Sequence, residues 1–223
     1  MYANRTEAGQ ALAALLVKRR WPTPVQVVAL PRGGVPVAVE VARALGAPLD
    51  LAIVRKIGVP WQRELAMAAV AEGDPPQVAV EESVRGSCGI SLEEIGRLAR
   101  EELPELQRRR REYLGGRPPL PVQGCTVILV DDGLATGTSA RAAIKALRQR
   151  QPARLVLAVP VAPADTLAAL GREVDEVVCP SVPARFHAVG AHYVDFEQVS
   201  DAEVIRALRD LTPSTSGCPP GTS

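Results

Sequence analysis

Aromatic side chains are almost missing from this chain: two Trp, three Tyr and two Phe make up 3% of 223 residues. Proteins that bind single-stranded nucleic acid stack bases on aromatic platforms, and seven scattered rings do not furnish one. Charge of either sign is not in excess, because 26 Lys and Arg against 25 Asp and Glu leave a net charge of +1. A near-neutral balance argues against a protein whose main partner is a phosphate backbone. Histidine is limited to His187 and His192, for which structural roles are expected. Cys88, Cys125, Cys179 and Cys218 are far apart, with no Cys-x-x-Cys and no nearby His pair. That excludes the common zinc patterns and any disulfide framework, and reduced thiols are expected. No apolar run approaches the ~18 residues of a membrane span, and Met1-Tyr2-Ala3-Asn4-Arg5 lacks the basic-then-apolar design of a secretory leader. A soluble, cytoplasmic protein with no membrane partner is the expectation. A P-loop is excluded by the lack of Gly-x-x-x-x-Gly-Lys, and no Gly-x-Gly-x-x-Gly follows a strand.

With 47% hydrophobic residues and so few rings, the core must be built from Ala, Val, Leu and Ile, which suits strands covered by helices. The length fits one domain with an elaboration. Glu7 to Arg20 reads as an amphipathic helix, with Leu12, Leu15 and Leu16 as its stripe. Val25 to Leu30, a helix from Val35 closed by Gly46, and Leu49 to Val54 form a βαβ unit whose crossover should be right-handed. Ala66 to Glu72 and Gln77 to Glu81 fit an antiparallel pair joined at Gly73-Asp74-Pro75. Ser91 with Glu94 is a capping box, and Pro104 should bend or break the helix that follows. After Gly115-Gly116, strands are expected at Val127 to Val130, Arg154 to Val161 and Glu176 to Cys179. Helices are expected at Ala140 to Arg150, Pro163 to Leu170 and Ser200 to Leu211. The expected domain is residues 1–211, with hood or insertion elements at about 58–120 and 180–200. Residues 212–223 read as a disordered Pro-, Gly-, Ser- and Thr-rich tail.

One segment carries most of the chemical information: Val127-Ile128-Leu129-Val130-Asp131-Asp132-Gly133-Leu134-Ala135-Thr136-Gly137-Thr138-Ser139. Four apolar residues without alternation read as a strand buried on both faces, as parallel sheets require. Two carboxylates stand at its end, then a loop of small residues leads into a helix. Ligands of open α/β sheets bind outside the carboxyl ends of the strands, where loop amides and a helix N-terminus face one space. Amides and hydroxyls from Ala135, Thr136, Gly137, Thr138 and Ser139 suit a phosphate. Asp131 and Asp132 would repel a phosphate and so fit neutral hydroxyls one sugar-width away. The combination asks for a ribose 5-phosphate.

Three further segments extend it. Pro31-Arg32-Gly33-Gly34 ends the first strand, with two glycines allowing close approach to an anion and Arg32 able to grip it bidentately. Arg55-Lys56-Ile57-Gly58-Val59-Pro60 places two cations at the end of the second strand. Pro183-Ala184-Arg185-Phe186-His187-Ala188-Val189-Gly190 is followed by Asp195-Phe196.

The first of these motifs resembles the 5-phosphoribosyl-1-pyrophosphate (PRPP) signature of type I phosphoribosyltransferases, and the resemblance extends over about Val25 to Phe196. The chain is most similar to a group of bacterial phosphoribosyltransferase-domain proteins with no settled acceptor. These share the Leu-Pro-Arg-Gly-Gly, Val-Arg-Lys and Asp-Asp-Gly-x-Ala-Thr-Gly segments. The resemblance implies an α/β fold, a mostly parallel central sheet flanked by helices with a small hood. It implies transfer of ribose 5-phosphate from PRPP to a nitrogenous base or related nucleophile, with Mg2+ held mainly through substrate oxygens. Asp131, Asp132 and Lys56 would be the catalytic residues. Arg32, Gly33, Gly34, Arg55 and Lys56 would bind pyrophosphate, with a cis peptide between Pro31 and Arg32. Phe186 would stack on the acceptor, unless it is core packing, and Asp195 would lie near base and metal.

Ala135 stands where 6-oxopurine enzymes carry an Asp, as in adenine enzymes, while the Phe186 segment is more oxopurine-like. The acceptor therefore stays open. Glu64 and Glu72 are candidates for a loop acid or base, and Gly58 to Gly73, with Trp61, for a mobile cover that excludes water. Arg108-Arg109-Arg110-Arg111 reads as a solvated helix face paired with Glu105 rather than a nucleic-acid site. A homodimer is compatible with all of this. The alternative reading is a PRPP-sensing regulator that keeps the pocket without transferase activity.

Overall fold

The computed structural model describes residues 1–22 and 24–211, so the expected tail at 212–223 lies outside the described residues. The elements run α1 (Arg5–Leu16), β1 (Val25–Ala29), α2 (Gly34–Leu45), β2 (Leu49–Leu51), β3 (Val54–Val59), β4 (Gln62–Ala71), β5 (Gln77–Val80), α3 (Glu82–Cys88) and α4 (Leu92–Leu114). They continue with β6 (Thr126–Val130), α5 (Thr138–Gln149), β7 (Arg154–Ala158), α6 (Ala164–Leu170), β8 (Glu176–Val178), a 3-10 turn (Val189–His192) and α7 (Asp201–Leu211).

Five strands form a wholly parallel sheet in the order β2-β1-β6-β7-β8. The period of two divides each strand between two cores. Ile128 and Val130 of β6 face α1 and α2 on one side, and Val127 and Leu129 face α5 and α6 on the other. All four are fully buried, which is why the run has no polar alternation. The chain leaves β1 towards β2 on one side and later returns to β6 on the other. The β1/β6 boundary is therefore the topological switch point, and the loops after β1 and β6 flank it.

The segment from Val54 to Val80 forms a second, antiparallel sheet in the order β3-β4-β5. Two expectations change here. Leu49 to Val54 is not one strand: β2 ends at Leu51, Ala52 N–H still bonds Ala29 O at 2.9 Å, and the chain then turns into the second sheet. Arg55 and Lys56 accordingly sit inside β3. Apolar periodicity identifies strands but does not say which sheet each one joins.

Gly58 to Gly73 is also not a loose cover. It is a hairpin whose tip is Pro60-Trp61, bulged at Gly58, where a Cβ would come within 2.1 Å of Arg63 O. The inner half of β4 is buried from Met67 to Ala71. Ala69, Ala71 and Ala79 let α5 approach closely through Ala142 and Ala146, while Met67, Ala68 and Val70 meet Ile95 and Ala99 of α4. The outer half, Gln62 to Glu64, is exposed, as is Trp61. Amides at 61–65 should exchange about 100-fold faster than those of Ala68 to Ala71, a contrast that hydrogen-exchange mass spectrometry reads directly.

Ser91 caps α4 as expected, accepting from Glu94 N–H at 3.1 Å. Pro104 does not break it: α4 runs unbroken for 23 residues. Pro104 lies on the exposed side, where the carbonyl deprived of a donor can turn to water, while Ile95, Ala99 and Leu106 hold the opposite side. Helix α1 begins two residues earlier than predicted, capped by Asn4 Oδ1 on Glu7 N–H, and ends at Leu16. Among the described residues no helix is long and apolar enough to cross a membrane, and Cys88, Cys125 and Cys179 are free thiols.

Candidate active site

A cleft of about 660 Å³ opens over the switch point. Its floor is the adjacent ends of β1 and β6, tied where Leu30 N–H bonds Val130 O at 2.9 Å. Pro31-Arg32-Gly33-Gly34 crosses directly over the acidic pair, and the Pro31–Arg32 peptide is cis. A Cβ on Gly33 would lie 2.1 Å from Asp132 Oδ2, and one on Gly34 would lie 2.9 Å from Asp131 Cα. Both glycines are thus required by the approach of the two protein loops, whatever else occupies the cleft.

The cleft joins residues more than a hundred positions apart. Asp131, Asp132 and Ser139 line it together with Arg32, Gly33, Arg55 and Lys56. Burial pushes the Asp131 carboxyl well above the usual range, and the charge of Asp132 adds to this. Burial also raises Asp132, opposed by the hydrogen bond and charge of Arg5. Lys56 is exposed and has no ion pair among the described residues, and its charge opposes the rise at both acids. Arg55 is held by Glu102 at 2.9 Å, and Arg32 lies 3.5 Å from Asp201.

The small-residue loop divides its labour. Ser139, in the first turn of α5, faces the cleft. Thr136 and Thr138 hydroxyls bond one another, and Thr138 Oγ1 also reaches Glu81 Oε2 at 3.1 Å, away towards β5. Ala135 O accepts from Thr166 Oγ1 at 2.7 Å, pinning the loop to α6. Gly137 has φ +74°, and its missing side chain would strike Leu170 Cδ1 at 2.8 Å and Thr166 Cγ2 at 2.9 Å. Its glycine is required by conformation and by α6. Gly137→Val should cost about 2–4 kcal/mol from left-handed strain and overpacking, read as a lowered denaturant midpoint.

Several predicted residues lie elsewhere. Phe186 stacks on His192, ring centroids 5.3 Å apart, and packs in a small cluster with Tyr193 and Val189 rather than lining the cleft. Asp195 is exposed and accepts from Glu197 N–H at 3.1 Å. Glu64 is exposed on the hairpin. Glu72 is bound by Arg110 at 2.7 Å beside a separate cavity of about 110 Å³, and burial raises its carboxyl against that pairing. Asp131 and Asp132 are the only carboxylates lining the cleft among the described residues.

The arginine run is not a single solvated face. Four consecutive helical residues fan through about 300°, at 100° each. Arg108 pairs outward with Glu105 and Glu112, Arg109 reaches the cleft, and Arg110 turns inward to Glu72 and Asp50.

Sequence reasoning missed Arg5, and it named Phe196 beside Asp195 without giving it a role. Arg5 Nε donates to Asp132 Oδ2 at 2.8 Å, its Nη1 donates to Glu197 O at 2.7 Å, and its guanidinium lies 3.8 Å from the Phe196 ring centroid. Tyr193 O–H donates to Asp132 O, and burial raises the phenol far above its usual range. No local pattern at Arg5 announces a partner 127 positions away.

A parallel α/β domain with an acidic pair and glycine-rich loops at its switch point is the architecture of the type I phosphoribosyltransferases. The phosphoribosyl transferase domain model matches residues 2–187, and the chain belongs to that family. It is 44% identical over 215 residues to Rv0571c of Mycobacterium tuberculosis (strain ATCC 25618 / H37Rv), a phosphoribosyl transferase by name. MT0597 of strain CDC 1551 matches equally. These alignments take in 95% of this chain and 48% of the relatives, so the chain spans about half the length of the curated relatives it matches. The crystal structure of TT1426 from Thermus thermophilus is 40% identical with a TM-score of 0.77, covering 94% of this chain and 98% of that one.

Proposed function

We propose that the protein transfers the ribose 5-phosphate of PRPP to a nucleophile and releases pyrophosphate. The observation that carries this reading is the acidic pair Asp131-Asp132, set against Gly33 and Gly34 at the switch point, with the start of α5 beside it. The carboxylates accept from the ribose hydroxyls. Backbone amides between Ala135 and Ser139, with the N-terminus of α5, hold the 5′-phosphate. Arg32, Arg55 and Lys56 balance the pyrophosphate. The bond from ribose C1 to pyrophosphate oxygen loosens first, its electron pair leaving with pyrophosphate, and the nucleophile closes on an oxocarbenium-like carbon. Catalysis is then mainly positioning and electrostatics.

The donor set suits Mg2+ delivered by the substrate. Two carboxylates offer hard oxygens, and among the described residues no group of three or more His, Cys, Asp or Glu side chains could hold an ion alone. When bound, Mg2+ would neutralise charge on the pyrophosphate as it departs. The decisive experiment measures PRPP binding calorimetrically, then screens nucleophiles for PRPP-dependent pyrophosphate release. Binding followed by release with one acceptor supports the transferase. Tight binding with no release from any acceptor supports the PRPP-sensing alternative, and no binding removes both.

A further inference from the structure

We propose that Arg5 decides which nucleophiles the cleft admits: it covers the one ring at which a flat base could stack, and so reserves the cleft for compact, non-aromatic acceptors. The inference rests on the transferase reading and names the acceptor class of that same site.

Phe196 is the only aromatic side chain lining the cleft among the described residues. Arg5 covers one face of its ring, Tyr193 stands to the side, and Gly190 abuts it, where a Cβ would come within 2.8 Å of Phe196 Cδ1. The Arg5 guanidinium carbon lies 3.8 Å from the centroid, which is direct contact, and Tyr193 packs 5.0 Å away at a 32° tilt. Phe186, the other candidate platform, is stacked on His192 and lies off the cleft.

Arg5 is not a loose surface side chain resting on a ring. Its side chain is 11% exposed and is fixed by three separate contacts: Phe196, Asp132 and the carbonyl of Glu197. Its backbone is equally constrained, because it opens α1 behind the Asn4 cap, and Tyr2 N–H bonds His192 O at 2.9 Å. A base stacking on Phe196 would have to expel the guanidinium, and that would leave the buried Asp132 carboxylate without its cation. Losing Arg5 would also disturb ribose binding once PRPP is bound, since Asp132 is one of the two carboxylates assigned to the ribose. A planar cation on an aromatic face is a favourable stack in its own right, so a neutral base gains little by replacing it.

The test titrates the unaltered protein with hypoxanthine, adenine and uracil by calorimetry, with and without PRPP and Mg2+. In parallel, NMR follows the Arg5 Nε–H resonance, which the Phe196 ring current displaces. The expected result is no base binding at millimolar concentration and an unmoved Arg5 signal. Arg5→Ala should then bind at least one of these bases tenfold or more tighter than the unaltered protein, and adding Phe196→Leu should abolish the gain. Base binding or base-dependent pyrophosphate release by the unaltered protein would overturn the proposal. So would a folded Arg5→Ala protein that gains no base affinity. If Arg5→Ala does not fold, the calorimetry and the Arg5 signal of the unaltered protein decide. Failure of the unaltered protein to bind PRPP would count against the transferase reading, while the titrations without PRPP still decide whether Arg5 blocks the ring.

Discussion

A protein with both Asp131→Asn and Asp132→Asn is expected to fold, to melt higher at alkaline pH than the unaltered protein, and to bind PRPP at least tenfold more weakly. The two effects have one cause. Both carboxyls are raised by burial, and for Asp131 the neighbouring charge of Asp132 adds to it. A carboxyl whose folded pKa lies above its unfolded value holds more protons in the native state, so stability falls as pH rises from the unfolded value through the folded one. Above that window the whole penalty is present, and below it none is. Asparagine carries no such penalty, and its side-chain oxygen can still accept from the Asp132 backbone N–H as Asp131 Oδ1 does at 2.9 Å. The melting advantage should therefore grow with pH through that window, as thermal melts at a series of pH values would read. Tenfold weaker PRPP binding corresponds to about 1.4 kcal/mol. A variant that is more stable yet binds less would mark the acids as retained for ligand rather than fold. Unchanged PRPP affinity in the folded variant would remove them from the site.

Asp50→Ala should cause the largest loss of stability of any single change considered. Asp50 is 2% exposed on β2, at the edge of the parallel sheet. Its oxygens accept from Leu51 N–H at 2.9 Å and Leu120 N–H at 2.8 Å, and Arg117 stands 3.5 Å away. Arg110 Nη2 is 4.0 Å away and is itself buried without a hydrogen bond. Removing the carboxylate would leave two backbone donors unsatisfied and would take a counter-charge from Arg117 and from Arg110, which keeps only Glu72. Breaking a buried pair from one side typically costs about 3–5 kcal/mol, which here means a melting temperature lower by about 10 °C or more. Asp50→Asn should lose less, because one oxygen survives to accept a backbone N–H. Thermal melts of the two variants side by side test this, and equal melting temperatures would show that the charge, rather than the acceptor, holds the network.

The parallel sheet was legible because its strands are buried on both faces, which forces unbroken runs such as Val127 to Val130. The place of the acidic pair and of the small-residue loop at a strand end was legible because short strand-to-helix turns leave a local signature. The hairpin was half legible: two short runs joined at Gly73-Asp74-Pro75 already suggest that Ala66 to Glu72 pairs with Gln77 to Glu81. That its inner half is buried is not visible there, since Ala-rich residues become core only when α5 and α4 arrive to cover them.

Local order along the chain thus determined the α/β class, the place of Asp131 and Asp132 at a strand end, and the glycines of the crossing loop. The tertiary structure alone decided that Arg5 covers Phe196 and grips Asp132, that Phe186 and Asp195 lie off the cleft, and that Arg110 turns inward to Asp50. The physical reason is one of range. Backbone periodicity and turn chemistry act over a few residues and leave a signature in spacing. Ion pairs and ring stacks depend on which helices and strands the fold brings together, across separations as long as the 127 positions between Arg5 and Asp132.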